Sequence, residues 1–299
     1  MTGQLVVGGA GFIGSHLVDR LLAEGEQVDV VDDLSTGSLA NLGAARAAGG
    51  ELKIHHLDAG SPGFAALLAM RRPSVVYHLA AVPRRPESVD EHVVALARTL
   101  TLLDAARASG AEKVVVALPA AALYGTPSAR DLPLKERPLE ARGVRGVMAR
   151  AVVDLLDVYR AQHELEFTAL AVASVYGPRQ RPTAGVVAAF LDAAVSGVPP
   201  TVSGDGRQTR DFVFVDDVVD ALVRAGQRGS GLVVNVGTGV QTPLRDLWQA
   251  VGGGIGSDSD VVPARVDEVQ RFAVSPVRAR IHLGWSPWTS LADGLALSR

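Results

Sequence analysis

Short apolar runs and longer stretches of mixed character alternate along most of the chain. Leu5-Val6-Val7, Gln27-Val28-Asp29-Val30-Val31, Leu52 to Leu57, Ser74 to Leu79, Lys113 to Leu118 and Phe167 to Val172 are rich in valine and other strand formers. Runs of this length, bounded by glycine, proline or aspartate, read as buried strands. Between them the period lengthens. Ser15 to Leu22 reads as helix, and a longer helix is predicted from about Val89 to Ala108, with apolar positions at Val93, Leu96, Leu100 and Leu103. A further helix is predicted from about Val147 to Gln162. In it Val147, Ala151, Leu155 and Tyr159 recur at helical spacing while Val152, Leu156 and Val158 lie elsewhere around it, the pattern of a helix buried on two sides. Strands alternating with helices predict an α/β fold, a doubly wound parallel sheet with helices on both faces. No internal repeat or low-complexity linker interrupts the pattern.

Composition narrows this picture. A chain of 299 residues, 47% of them apolar, has ample material for a core. Its net charge of −3 supplies no basic field for nucleic acid. No apolar run reaches the roughly 18 residues of a membrane span, and the chain opens directly on a strand, so a cytoplasmic protein is the expectation. The absence of cysteine excludes disulfides and thiolate chemistry. Histidines lack metal-ligand spacing, and His55 and His56 fall on opposite faces of a strand, so no metal is expected. Lysine is scarce: only Lys53, Lys113 and Lys135 occur.

The candidate chemistry begins where the first strand ends. Leu5-Val6-Val7 feeds into Gly8-Gly9-Ala10-Gly11-Phe12-Ile13-Gly14, and a helix follows at once. Glycines at 8, 11 and 14 suit a tight turn, a close approach to a pyrophosphate and close helix–strand packing, with free N–H groups at the helix start. The second strand ends in Asp32-Asp33. A carboxylate there can accept from an adenosine ribose and repels a 2′-phosphate, so the pattern predicts NAD rather than NADP.

With these pieces in place the chain resembles the extended short-chain dehydrogenase/reductases, in the branch of NAD-dependent nucleotide-sugar epimerases and dehydratases, the UDP-glucose 4-epimerase-like proteins. The matching segments are Gly8 to His16, Val30 to Gly37, His78-Leu79-Ala80-Ala81, Leu123-Tyr124-Gly125, Val175 to Gln180, Gly204 to Asp217, Asn235 to Gly239, and Leu283-Gly284-Trp285. The resemblance implies a Rossmann domain over residues 1–174, to which the chain returns at about 212–238, and a smaller substrate-binding lobe mainly over 175–299. It assigns Gly8, Gly11, Phe12, Ile13, Gly14, Asp32, Asp33, Ser35, Thr36, Gly37, Asp58, Ala59, Leu79, Ala80 and Ala81 to the cofactor. Asp58 would lie by the adenine and Ala80-Ala81 by the nicotinamide. For a UDP- or dTDP-linked sugar it points to Arg179, Arg210, Glu268 and Arg271, with Arg210 the main diphosphate anchor. It also implies a homodimer through the helix after the fourth strand and the helix that begins at the catalytic tyrosine.

In that family a hydride passes from a sugar carbon to NAD. A tyrosine, activated by a lysine four residues later, removes the hydroxyl proton, and a serine or threonine holds the same oxygen. Here the hydroxyl position is Ala120, and the Tyr-x-x-x-Lys stretch aligns on Gly146 and Arg150, with room for a slip of one or two residues. No slip restores the pair: residues 126–158 contain no tyrosine and no lysine follows Lys135. Arg150 holds its proton far above neutral pH, and is either a ribose donor or an exposed helix residue. Tyr124, Glu140, Arg142 and Arg145 are the remaining candidates for proton transfer or charge, and Arg84 and Arg85 could hold an anion. His78 reads as a packing residue. Ser174 and Ala171 stand where relatives carry asparagine and arginine. Two readings follow: an NAD-dependent nucleotide-sugar enzyme with an atypical acid–base apparatus, or a non-catalytic protein that binds NAD or a nucleotide sugar in a regulatory or assembly role.

Overall fold

The computed structural model describes residues 3–83, 88–137, 139–141, 143–252, 260–262 and 269–299. The strands are β1 (Gln4–Val7), β2 (Val28–Asp32), β3 (Leu52–His56), β4 (Val75–His78), β5 (Lys113–Pro119), β6 (Glu166–Val172), β7 (Ser174–Tyr176), β8 (Thr201–Ser203), β9 (Thr209–Arg210), β10 (Phe212–Phe214), β11 (Leu232–Val236), β12 (Thr242–Pro243) and β13 (Asp260–Val262). The helices are α1 (Phe12–Ala23), α2 (Gly43–Ala47), α3 (Pro62–Arg71), α4 (Val89–Ser109), α5 (Ala120–Tyr124), α6 (Gly143–His163), α7 (Val186–Ser196), α8 (Val215–Gln227), α9 (Leu244–Ala250), α10 (Val277–Leu283) and α11 (Leu291–Leu297).

A seven-stranded sheet in the order β11-β6-β5-β4-β1-β2-β3 forms the centre, and every pairing in it is parallel. Successive residues of β1 feed opposite faces, as the two-residue period of a strand requires. Val6 joins the core built with Leu17 of α1 and Val218 of α8, while Leu5 and Val7 join the core built with Phe64 of α3, Leu102 of α4 and Val152 of α6. Strand order reverses between β1 and β4. At such a switch point the helices on either side lead away in opposite directions, leaving a crevice at the carboxyl ends of the strands where ligands bind.

α4 begins at Ser88, whose side chain accepts from the Glu91 N–H, and stops at Gly110 in the left-handed region with φ 79°. Its packed face differs from the one the apolar spacing predicts. Leu103 is buried and Leu96 half-buried, but Val93 and Leu100 are exposed. The inward face is built instead by His92, Ala95, Thr99, Leu102 and Ala106, where the two alanines let the helix lie close and the Thr99 hydroxyl meets His78. α6 starts a turn earlier than predicted, at Gly143.

The chain after β6 adds two-stranded pairs, β7 with β10, β9 with β12 and β8 with β13. Asp211 fastens these to the sheet. Its buried carboxylate accepts from the Thr238 N–H (2.8 Å) and hydroxyl (2.6 Å), the Gly239 N–H (3.0 Å) and the Val274 N–H (3.1 Å). Burial pushes the Asp211 pKa up, and those donors pull against it. Asp217 does the same for the last segment: it accepts from the Thr289 hydroxyl at 2.9 Å, and its carbonyl accepts from the Trp285 indole at 2.8 Å.

Candidate active site

The β1–α1 turn is built around backbone that admits no side chain. Gly8 sits at φ +81°, a conformation that favours glycine. A Cβ on Gly14 would overlap the Gly8 carbonyl, so helix and turn can approach this closely only with glycine there. The turn is pinned from below. The Asp32 carboxylate accepts from the Ala10 N–H (2.9 Å) and the Leu34 N–H (2.8 Å), and Asn41 and Ser38 donate to the Ala10 carbonyl at 2.8 and 3.0 Å. A methyl on Gly37 would stand 2.8 Å from Asp32 Oδ1, so that glycine keeps the carboxylate open. Phe12 and Ile13 open α1, whose Gly11 N-cap offers no side-chain acceptor, leaving the first N–H groups for a ligand. The parts fit a dinucleotide: a close-approach turn, free amides for a diphosphate, and at Asp32 a nearly buried carboxylate with lone pairs left for a ribose.

Just past the carboxyl ends of β2 and β3 stands a residue that the sequence did not single out. Arg98 of α4 reaches across the ends of two strands. It donates to Asp58 Oδ1 through Nε (2.8 Å) and to Oδ2 through Nη2 (2.5 Å), and Nη2 also lies 3.1 Å from Asp33. The hydrogen bonds from Arg98 are the main reason that the Asp58 pKa lies below the usual carboxylate range. Nothing local marks Arg98, because its partners are strand ends far away in sequence. Ser35 closes a small turn on Asp33 (2.6 Å), Thr36 is exposed and Ala59 is buried. Leu79 is half-buried, Ala80 is exposed and Ala81 buried, and Ala80 Cβ lies 3.5 Å from where a Cβ on Gly8 would be. His78 beneath them pairs with the Thr99 hydroxyl at 3.0 Å, and burial drives its pKa down to about 4.

The residues aligned above with the family's proton-transfer positions are placed as follows. Ala120 is fully buried at the start of α5. Tyr124 is fully buried as well, its hydroxyl donating to Asn235 Oδ1 at 2.8 Å, while Asn235 Nδ2 donates to the Leu134 carbonyl. Burial raises the phenol's pKa. This placement argues against Tyr124 as a proton carrier: its hydroxyl braces the core. Gly146 has no room for a side chain, since a Cβ would stand 2.6 Å from the Ala122 carbonyl. Arg150 turns away from the cofactor crevice. It is more than half exposed, pairs with Asp154 at 3.5 Å, and lines a groove with Leu139 and Val233 beside the edge strand β11. Arg145 is the side chain that reaches the crevice, its Nε donating to the Pro83 carbonyl at 3.2 Å, and burial lowers its pKa. Ala149, four residues on, is buried. Glu140 is exposed beside Arg137 at 3.6 Å. Arg142, Arg84, Arg85 and Glu268 lie outside the described residues.

Of the residues expected to hold a substrate diphosphate, Arg210 and Arg271 lie close along the chain's fold. Arg210 donates to the carbonyls of Thr209 (2.9 Å) and Val269 (2.6 Å), and the Thr209 N–H donates to the Gln270 carbonyl, placing exposed Arg271 alongside β9. Arg179 is not with them. Its guanidinium is committed to Asp19 of α1 at 2.7 Å, and with His16 on the Pro178 carbonyl (3.1 Å) it locks the turn after β7 onto that helix. Among the described residues no cluster of three or more His, Cys, Asp or Glu could hold a metal, and no helix is long and apolar enough to cross a membrane.

Comparison with known proteins fits this geometry. Residues 4–237 match the model of the NAD dependent epimerase/dehydratase family. The chain is 42% identical to UDP-glucose 4-epimerase of Mycolicibacterium smegmatis, over 98% of this chain and 96% of that protein. Its fold superposes on the UDP-glucose 4-epimerase of Thermotoga maritima solved with UDP-glucose, with a TM-score of 0.92 at 32% identity, covering 99% of this chain and 97% of that one. A Thermus thermophilus UDP-glucose 4-epimerase solved with NAD is similar with a TM-score of 0.87 at 32% identity, over 99% and 97% of the two chains. The parallel sheet, the glycine turn over Asp32 and these likenesses together make the chain a member of the NAD dependent epimerase/dehydratase family.

Proposed function

We propose that this protein binds NAD across the β1/β4 crevice and a UDP- or dTDP-linked sugar in a lobe built mainly from residues 175–299, and acts on that sugar without a tyrosine–lysine pair. The observation that carries the reading is the cradle at Asp32: a carboxylate pinned by two backbone amides, kept open by Gly37, beneath an uncapped helix start. In the proposed complex Gly8, Gly11, Phe12, Ile13 and Gly14 face the cofactor diphosphate, Asp33 and Asp58 flank its adenosine through Arg98, and Leu79 to Ala81 line its nicotinamide side. Bound NAD supplies a reversible hydride acceptor. Arg210 and Arg271 hold the diphosphate of the substrate.

A second reading has its own support. Tyr124 is locked in the core, and a guanidinium at Arg145 cannot take a proton at neutral pH. Loss of a general base costs about 10²–10⁴-fold, which favours a protein that binds these ligands without turnover. Incubation of the purified protein with NAD and UDP-, dTDP- and GDP-linked sugars, with products followed by NMR, separates the two. Conversion of one sugar supports the enzyme. Tight binding without conversion in the same samples supports the binding protein, and neither binding nor conversion refutes both.

We also propose a homodimer. α4 and α6 pack together, yet Val93, Val94 and Leu100 on one and Val144, Val147 and Val158 on the other remain exposed, an apolar surface that a second copy would cover.

A further inference from the structure

Arg145 is a charged residue that the fold does not explain. It stands on the first turn of α6, with its Nε on the Pro83 carbonyl. Pro83 follows Ala80-Ala81 at the carboxyl end of β4. The next residue, Gly146, is pressed against Ala122 of α5, just past the carboxyl end of β5. Arg145 is thereby held between the ends of β4 and β5, beside the crevice where strand order reverses.

Several other partly buried arginines meet carboxylates: Arg71 meets Asp29, Arg98 meets Asp33 and Asp58, Arg179 meets Asp19, and Arg278 meets Glu136. Arg145 has no carboxylate partner among the described residues. Its surroundings strip water from it, which lowers its pKa. Desolvating a guanidinium without pairing it costs stability. A ligand anion would supply the missing partner. The planar guanidinium suits two oxygens of a carboxylate, each accepting one N–H. The cofactor's phosphates go to the glycine turn at the start of α1, so the anion must come from the second ligand, at the end that faces the reacting sugar.

We propose that Arg145 binds a carboxylate on the sugar, and that this protein takes nucleotide-linked uronic acids in preference to neutral sugars. The inference rests on the reading above that the crevice holds NAD and a UDP- or dTDP-linked sugar. Calorimetric titration of UDP, UDP-glucose and UDP-glucuronic acid into the wild-type protein with excess NAD, and the same series with dTDP, tests it. Arg145→Gln and Arg145→Lys are titrated alongside. A charged hydrogen-bond pair predicts that the uronic acid binds at least about tenfold tighter than glucose on one of the two nucleotides. That preference should vanish in Arg145→Gln and return in part in Arg145→Lys, while the unmodified nucleoside diphosphate binds all three proteins alike. Equal affinity for the two sugars in the wild type, or a preference that survives in Arg145→Gln, overturns the proposal and leaves the nucleotide-sugar reading intact. If no nucleotide of either series binds the wild type, both fall. Should Arg145→Gln not fold, the wild-type ratio and its reduction in Arg145→Lys decide.

Discussion

At the scale of single residues, burial decides what a side chain can do. The Tyr124 hydroxyl spends its hydrogen bond on Asn235, deep in the core. Tyr124→Phe should therefore leave NAD affinity unchanged and cost about 1–3 kcal/mol of stability through the unsatisfied Asn235 oxygen, read from urea unfolding. His78 gives a pH dependence. Its pKa falls from 6.5 to about 4 on folding because burial disfavours the imidazolium. The unfolded chain thus binds the proton more tightly, and stability is fully present above pH 6.5 and lost as the pH falls toward 4. The loss attributable to this group is about 3 kcal/mol. Urea midpoints measured across that range should show a steeper acid decline for the wild type than for His78→Asn. Arg145 and Arg98 belong to this scale as well, and neither role is legible in the sequence. Each depends on what distant strand ends bring next to it.

At the scale of elements, what the sequence reveals is what is local. A strand, a glycine turn and a helix lie in consecutive residues, so β1 and α1 can be read directly, and Asp32 follows from the end of the next strand. The start of α6 cannot be read this way. Its apolar spacing begins at Val147, whereas the helix begins at Gly143. Arg145 and Arg150 stand five residues apart, about 500° of helix, so they leave α6 on different sides, one toward the Pro83 carbonyl and the other toward the β11 groove. α4 misleads for a related reason: a face of alanine, threonine and histidine packs against the sheet while valines point outward, so hydrophobicity alone selects the wrong side. The turn between β2 and α2 offers a direct test of the cradle. Gly37→Ala places a methyl against the Asp32 carboxylate. Overpacking of this kind costs about 1–3 kcal/mol of stability, read from urea unfolding, and because the methyl displaces the carboxylate proposed to hold the ribose, NAD affinity measured by titration should fall about tenfold as well.

At the scale of the whole molecule, two features govern behaviour: a crevice at the switch point of the sheet, and an exposed apolar face shared by α4 and α6. The second predicts association. Val93→Glu with Val147→Glu should convert a dimer to a monomer in light scattering at micromolar concentration, and a wild type that is already monomeric contradicts the proposed interface. The first carries the central claim, that the cradle binds NAD although the chain contains no Tyr-x-x-x-Lys stretch. Titration of NAD and of NADP into nucleotide-free protein tests it most directly. The account predicts saturable binding of one NAD per chain, with NADP at least about tenfold weaker because its 2′-phosphate meets the Asp32 carboxylate. No saturable binding of NAD, or equal affinity for the two, would contradict it.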